Sequence, residues 1–509
     1  MTTKAQALTI ITLGATLVIA SAQTTQTTAA APAPPPPPAL SSTEQMIKDI
    51  KNPASWMTWG ADLRLRNEYL YDVITLNPRA NLNEQDYFRF RGRVWTTITP
   101  VDDLNLNARL ATEAREWMKE AGYSPMKLSS TQGKVGPDYT EGVFDNLNAK
   151  WKNIAGLPLT ATVGRQDIFL GDGWLVGDGT PYDGSWTYFL DSARVAYELK
   201  DQQTTIEAIG IVQSARDADW LPVVNAGQHR LLTERNETGA ILQIANTTMK
   251  AANLTGYFIY KHDDAENMSL ADAQSFHPDN ADIYTIGGRV NGLLTDNLKY
   301  WVEGAYQLGR KAYPIFNPTW NTGFIQAQPG QYRDINAFGF NSKLSYMFKD
   351  KLNNQLSLSF EFLSGDDPNS GHDEMFDVLW GRWPRWSETG LYMFPAETRV
   401  GQEANLIRFG PTWTLNPIKD LEFSASYYAL FSPMDVPTLG ATQTLAPNNP
   451  SRLFTDTGNF RGHFTQAVLK YKFSPHMTGH LWSEFLFPGD YYVNRTMMTF
   501  LRAEVMFTF

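Results

Sequence analysis

The chain has 509 residues, a net charge of −10 and no cysteine, so it forms no disulfide and offers no thiolate for metal binding or nucleophilic attack. An acidic, histidine-poor chain is also a poor nucleic-acid binder. Aromatic residues reach 13%, with 15 Trp and 22 Tyr, the ring content that membrane–water interfaces require.

Residues 1–22 read as a signal peptide: Lys4, an apolar stretch from Ala5 to Ile19, then Ala20-Ser21-Ala22 as a cleavage site. The apolar stretch is too short to span a bilayer. Residues 23–40, rich in Thr, Ala and Pro, cannot bury a core and read as a disordered leader with a polyproline spacer. Residues 41–55 contain a capping-box pair, Ser41 with Glu44, ahead of Met46, Ile47 and Ile50, which predicts one short periplasmic helix. No later segment has 18 consecutive apolar residues. An exported chain of this kind is therefore soluble or crosses a membrane as a barrel, the other structure that satisfies every backbone polar group in lipid.

From Thr58 onward the apolar period is two. Trp59, Ala61, Leu63, Leu65, Tyr69 and Tyr71 share one face, and Asp62, Arg64, Arg66 and Glu68 the other. Phe88, Phe90, Gly92 and Val94 alternate with Arg89, Arg91 and Arg93; Leu106, Ala108, Leu110 and Ala114 alternate with Asn107, Arg109, Glu113 and Arg115. The pattern predicts strands at 58–71, 86–99, 104–117, 141–152, 158–166, 188–199, 204–214, 236–246, 251–262, 283–292, 297–310, 335–349, 354–364, 403–416, 420–432, 463–474, 478–487 and 496–509. Those at 158–166 and 204–214 alternate poorly. The even total of about eighteen suits a bacterial barrel. Tight turns such as Pro100–Asp103 and Ser474–Met477 largely alternate with long polar connections at about 118–140, 167–187, 311–334, 365–402 and 433–462. The expected fold is all-β: one transmembrane antiparallel barrel over 56–509, with short periplasmic turns and long extracellular loops. The last strand ends in Phe509, which resembles the signal by which the outer-membrane assembly machinery recognises its clients; the plainer alternative is an ordinary closing strand.

Strand parity gives the lumen a sign that the net charge hides. Arg64, Arg66, Arg89, Arg91, Arg93, Arg109, Arg115, Lys150, Arg194, Arg289, Arg408, Lys470, Lys472 and Arg502 fall on the inward face. So do Asp62, Glu68, Glu113, Glu303, Glu361, Glu422 and Glu484. Excess cations along a pore favour anions, and arginine grips carboxylates with a two-pronged fork. The plainer alternative is a set of salt bridges that stiffen the wall. Arg89, Arg91 and Arg93, three in a row, are the hardest to neutralise with local acids and mark the expected path.

Gly164-Arg-Gln-Asp167 opens a Gly/Asp-rich stretch, followed by Asp191-Ser-Ala-Arg194; further on come Ser364-Gly-Asp-Asp-Pro368 and Trp380-Gly-Arg-Trp383. This ordered set resembles the alginate export family of outer-membrane proteins, over roughly residues 55–509. The resemblance implies an eighteen-stranded barrel with an arginine-lined constriction passing an anionic polysaccharide, and Arg165, Asp191 and Arg194 as matched site positions. The long Gly/Asp loop and the Pro-rich leader depart from the family pattern.

Asp172, Asp178 and Asp183 in that loop carry oxygen ligands for Ca²⁺ but match no EF-hand spacing, so a polar loop is the plainer reading and no cofactor is expected. The sequence has no HExxH and no GxSxG. The reading is a non-enzymatic channel or exporter in the outer membrane of a Gram-negative-type bacterium, surrounded by lipid and lipopolysaccharide. Its cargo is alginate-like polysaccharide or small anions, with no nucleic-acid partner. The alternatives are a porin for nutrient uptake and an outer-membrane hydrolase.

Overall fold

A computed structural model describes residues 42–509 except 74–75, 77–82, 120–134, 178–189, 216–219, 222–223, 225–234, 266–279, 317–324, 368–369, 382–384, 395–402, 435–452 and 456–457. The signal peptide and leader lie outside the described residues. Helix α1 spans Ser42–Lys51.

Eighteen strands follow: β1 (Met57–Tyr71), β2 (Glu84–Val101), β3 (Leu104–Trp117), β4 (Gly136–Trp151), β5 (Leu159–Arg165) and β6 (Asp191–Leu199). Then come β7 (Thr204–Gln213), β8 (Arg235–Asn246), β9 (Asn253–Ala265), β10 (Ala281–Thr295), β11 (Leu298–Phe316) and β12 (Ile325–Met347). The last third is β13 (Gln355–Leu363), β14 (Leu406–Ile418), β15 (Leu421–Phe431), β16 (Phe460–Ser474), β17 (Met477–Pro488) and β18 (Met498–Thr508). Each strand pairs with its sequence neighbours, and β1 pairs antiparallel with both β2 and β18, so the sheet closes with no free edge.

Alternation becomes burial. On β1, Leu63 and Leu65 are 48% and 38% exposed, while Arg64 and Arg66 between them are 1% and 2% exposed. The apolar parity faces out and the charged parity faces in. Aromatic residues on the outer face gather at the turn end, where Trp151, Tyr346, Phe348, Trp413 and Phe473 are exposed, and again towards the loops with Tyr284, Tyr306, Tyr332 and Tyr427. That is the two-girdle arrangement of a lipid-facing barrel.

Three expectations change. The connection at 311–334 is mostly strand, because β11 runs on to Phe316 and β12 starts at Ile325, with Pro314 to Phe316 pairing Ile325 to Ala327. The long connections are not uniformly polar: Ile168, Trp174, Leu175 and Val176, and Phe376, Val378, Leu379, Trp380 and Phe394, are buried. Nor is the inward face charged throughout. On β7 to β10 it carries Ile209, Ile211, Ile241, Ile259 and Ile283, each at most 2% exposed and in one hydrophobic cluster with those loop residues. Apolar residues on both the lipid and the inward face remove alternation, which is why the β7 segment is irregular in sequence.

Candidate functional site

The inner wall of β1, β2, β3 and β18 holds an ion-pair array in two clusters, one around Asp62 and one around Glu68, Glu113 and Glu504. Arg89 reaches Glu68 at 3.1 Å and Glu113 at 3.0 Å; Arg91 and Arg93 share Asp62 at 3.5 and 2.5 Å. Arg115 donates to Glu113 at 2.9 Å, and Arg64 lies within 4.0 Å of both Glu113 and Glu504. Arg66 pairs with Glu68 and Glu504, and Arg502 with Glu68 and Glu388. Among the described residues, the pairs that join this array engage seven guanidinium groups and five carboxylates. The three consecutive arginines thus do find local acids, yet the array as a whole keeps an excess of cations. A buried guanidinium left without a carboxylate is costly, so the acids hold the cations in place as well as diluting them. Glu504 has the inward parity of Arg502 and could have been read from that alone.

The other predicted cations are spread around the barrel. Arg109 is held bidentately by Asp167, both contacts at 2.9 Å, and by Asp145 at 2.7 Å. Arg194 pairs with Glu207 at 2.5 Å and is one-third exposed. Arg289 lies 3.8 Å from Glu303 beneath the turn at Gly171, where a Cβ would fall 1.5 Å from its guanidinium. Only glycine lets backbone pass this close. Lys150 is half-buried, whereas Lys470 and Lys472 are exposed near the turn end. Asp172 accepts from Arg385 through its carbonyl at 3.2 Å; Asp178 and Asp183 lie outside the described residues.

The Gly164-Arg-Gln-Asp167 element has an architectural account. β5 stops at Arg165 while β4 continues, leaving β4 carbonyls without a strand partner. Gly164 takes φ +120° with the Leu147 carbonyl 2.4 Å from where a Cβ would be. Arg165 then donates to the Phe144 carbonyl at 3.1 Å and to both Asp191 oxygens at 2.8 and 3.2 Å, under the Trp220 ring at 5.6 Å. The Gln166 amide contacts the carbonyls of Thr162, Gly164 and Ser192. Gly, Arg, Gln and Asp at consecutive positions close a seam in the wall, because every buried carbonyl there needs a donor. Arg165 and Asp191 sit in that seam, paired with one another.

Two segments fold into the interior. Residues 168–177 and 373–381 join through a parallel bridge, Val176 to Trp380, with Trp174 stacked on Phe376 at 5.4 Å. Trp174 donates to Glu361 at 2.9 Å, which also holds Arg408 at 2.9 Å. The second segment is tied to β11 by paired bonds between Gln307 and the Asp377 backbone, at 2.6 and 2.8 Å. On β9, buried Lys261 lies 3.2 Å from Glu237, 3.0 Å from Asp263 and 4.0 Å from Asp377. The same segment then crosses to the opposite wall. There Glu484 of β17 accepts from Ser387, Glu388 and Thr389 at 2.8–3.0 Å, at the start of a short helix, α2 (Glu388–Met393). The Ser364–Pro368 and Trp380–Trp383 elements marked this segment in the sequence, but no periodicity showed that it folds into the interior.

The sequence profile of the alginate export family matches residues 55–505, all but the last three residues of the barrel. The chain belongs to the alginate export family. It is accordingly an outer-membrane β-barrel channel of a transport family. No curated protein matches the chain in sequence. Among solved structures, Pseudomonas aeruginosa OccK8 (OprE) is 12% identical with a TM-score of 0.51, covering 89% of this chain and 98% of its own. Acinetobacter baumannii OccAB1 is 9% identical at TM-score 0.51, covering 89% and 96%. Pseudomonas aeruginosa OpdK, solved with vanillate, is 10% identical at TM-score 0.51, covering 89% and 98%. At such identity these similarities establish the shared barrel fold.

Proposed function

We propose that this alginate export family member passes carboxylate-bearing solutes, most concretely an anionic polysaccharide of alginate type, along the arginine wall of β1, β2, β3 and β18. What supports the reading is the imbalance in that array, where the pairs among the described residues engage seven guanidinium groups and five carboxylates. Most of these arginines are buried beneath their resident acids, so a uronate carboxylate reaches a guanidinium fork only by displacing one of those acids, and then yields to the next one along. Sites that bind too weakly exclude the ion and sites that bind too tightly trap it, so shared, partly satisfied arginines suit conduction. No bond is made or broken in this reading.

A second reading is uptake of small carboxylates, favoured by the two tryptophan-bearing segments that occupy the interior beside the wall. Planar-bilayer recording addresses both. The protein is expected to be anion-selective, and changing Arg89, Arg91 and Arg93 together to Ser lowers the anion-to-cation permeability ratio several-fold. An unchanged ratio means these arginines only brace the wall. Oligouronates that block current more strongly as they lengthen support the polysaccharide; block by monomers alone supports the small solute.

A further inference from the structure

Among the described residues, none covers one face of helix α1. Met46 and Ile50 are 56% and 43% exposed and stand four residues apart, on the same side as Ile47. Lys48, Asp49 and Lys51 occupy the other sides. A free periplasmic helix gains nothing from such a stripe.

The end of the helix is fixed against the barrel. The Trp59 indole donates to the Ile50 carbonyl at 2.7 Å. Trp59 belongs to the outward parity of β1, with Leu63 and Leu65, and its ring lies 5.1 Å from Phe509, the last residue of the chain. The helix C-terminus is therefore held beside the outer surface at the turn end, where Trp151, Phe348 and Phe473 form the lower aromatic girdle. Between helix and strand, Trp56 is 51% exposed and continues the same apolar border.

We infer that α1 is an interfacial anchor, lying on the periplasmic leaflet of the outer membrane with Met46, Ile47 and Ile50 sunk among phospholipid acyl chains. The occupant of the face is phospholipid because the face adjoins the girdle that already contacts it. Insertion is apolar in origin: Glu44 and Asp49 balance Lys48 and Lys51, so the helix has no net side-chain charge to attract an anionic surface. Trp59 sets the depth, since an indole whose N–H is bonded to the helix ties it to the headgroup level. This inference is independent of the cargo.

The absence of native cysteine makes the test direct. Ile50→Cys and, on the opposite side, Lys48→Cys are each labelled with an environment-sensitive fluorophore in the full-length protein, reconstituted in phosphatidylethanolamine–phosphatidylglycerol vesicles. The label at position 50 is expected to emit to the blue of that at 48, to be quenched by doxyl-labelled phospholipid, and to resist aqueous iodide at least threefold better. Ile47→Cys repeats the test should Ile50→Cys fail to assemble. Equal iodide quenching at both sites, or protection from iodide without doxyl quenching, overturns the inference. The first outcome means a helix in water and the second a helix covered by protein.

Discussion

The two sides of the barrel interior solve the same problem differently. Along β1, β2, β3 and β18 the inward face is arginine and carboxylate, and the chain spends its polar groups on one another. Along β7 to β10 the inward face adds a cluster of isoleucines, beside the buried Lys261 with Glu237 and Asp263, and Trp380, Leu379 and Val378 from the strap that crosses the lumen seal that cluster. The first side stays chemically responsive because ion pairs exchange partners. The second is a core in the ordinary sense, stabilised by excluding water, and it serves as the anvil against which the strap is set.

If the apolar side is a true core, the largest single effect comes from its centre. Trp380→Ala removes an indole that is 1% exposed, and is expected to cost about 3–5 kcal/mol and to raise single-channel conductance as the strap lifts. Urea titration in vesicles and bilayer recording read the two; a stable variant with unchanged conductance breaks the comparison. On the charged side, Glu68→Ala strips a common partner from Arg66, Arg89 and Arg502. It is expected to destabilise by roughly 3 kcal/mol, somewhat less because neighbouring acids share the load, and to strengthen anion selectivity. Loss of selectivity instead would mean that Glu68 faces no permeating ion.

The smallest effect is a pH dependence at the strap's exit. Glu403 is buried, and burial together with the nearby Glu361 pushes its carboxyl well above the usual range, against the Trp386 indole bond and the charges of Arg408 and Arg461. An acid raised in the folded state contributes stability that is fully present below its unfolded pKa, about 4.3, and is lost as pH rises through the folded value. The strap is therefore expected to loosen as pH rises from the carboxylate range, and Glu403→Gln to flatten that slope. Conductance of the two proteins across pH 4–9 checks it; parallel slopes refute it.

The same contrast explains what could be read in advance. β1 to β3 were legible because lipid on one side and charge on the other impose strict alternation, and the β3 bounds, Leu104–Trp117, coincide with the expected ones. β7 was not, since Ile209 and Ile211 answer to the strap while Ile206 and Val212 answer to lipid. The arginines were visible by parity. Their partners were only partly so: Glu388 and Asp167 come from connections, and no period reveals where a connection folds back. The seam at Arg165 was visible as a motif, but its meaning depends on β5 ending earlier than β4, which spacing does not show.

The closure of β1 on β18 has a consequence for assembly. In the native register Arg66 stands opposite Glu504, and Glu68 opposite Arg502. A slip of two residues preserves which side faces lipid, so apolar contacts alone would tolerate it. One such slip sets Arg66 against Arg502; the other sets Glu68 against Glu504. Either error brings like charges together inside a wall that water scarcely reaches. The closing β1–β18 seam thus carries its own proofreading, and a chain that docks its last strand wrongly is left reversible long enough to try again.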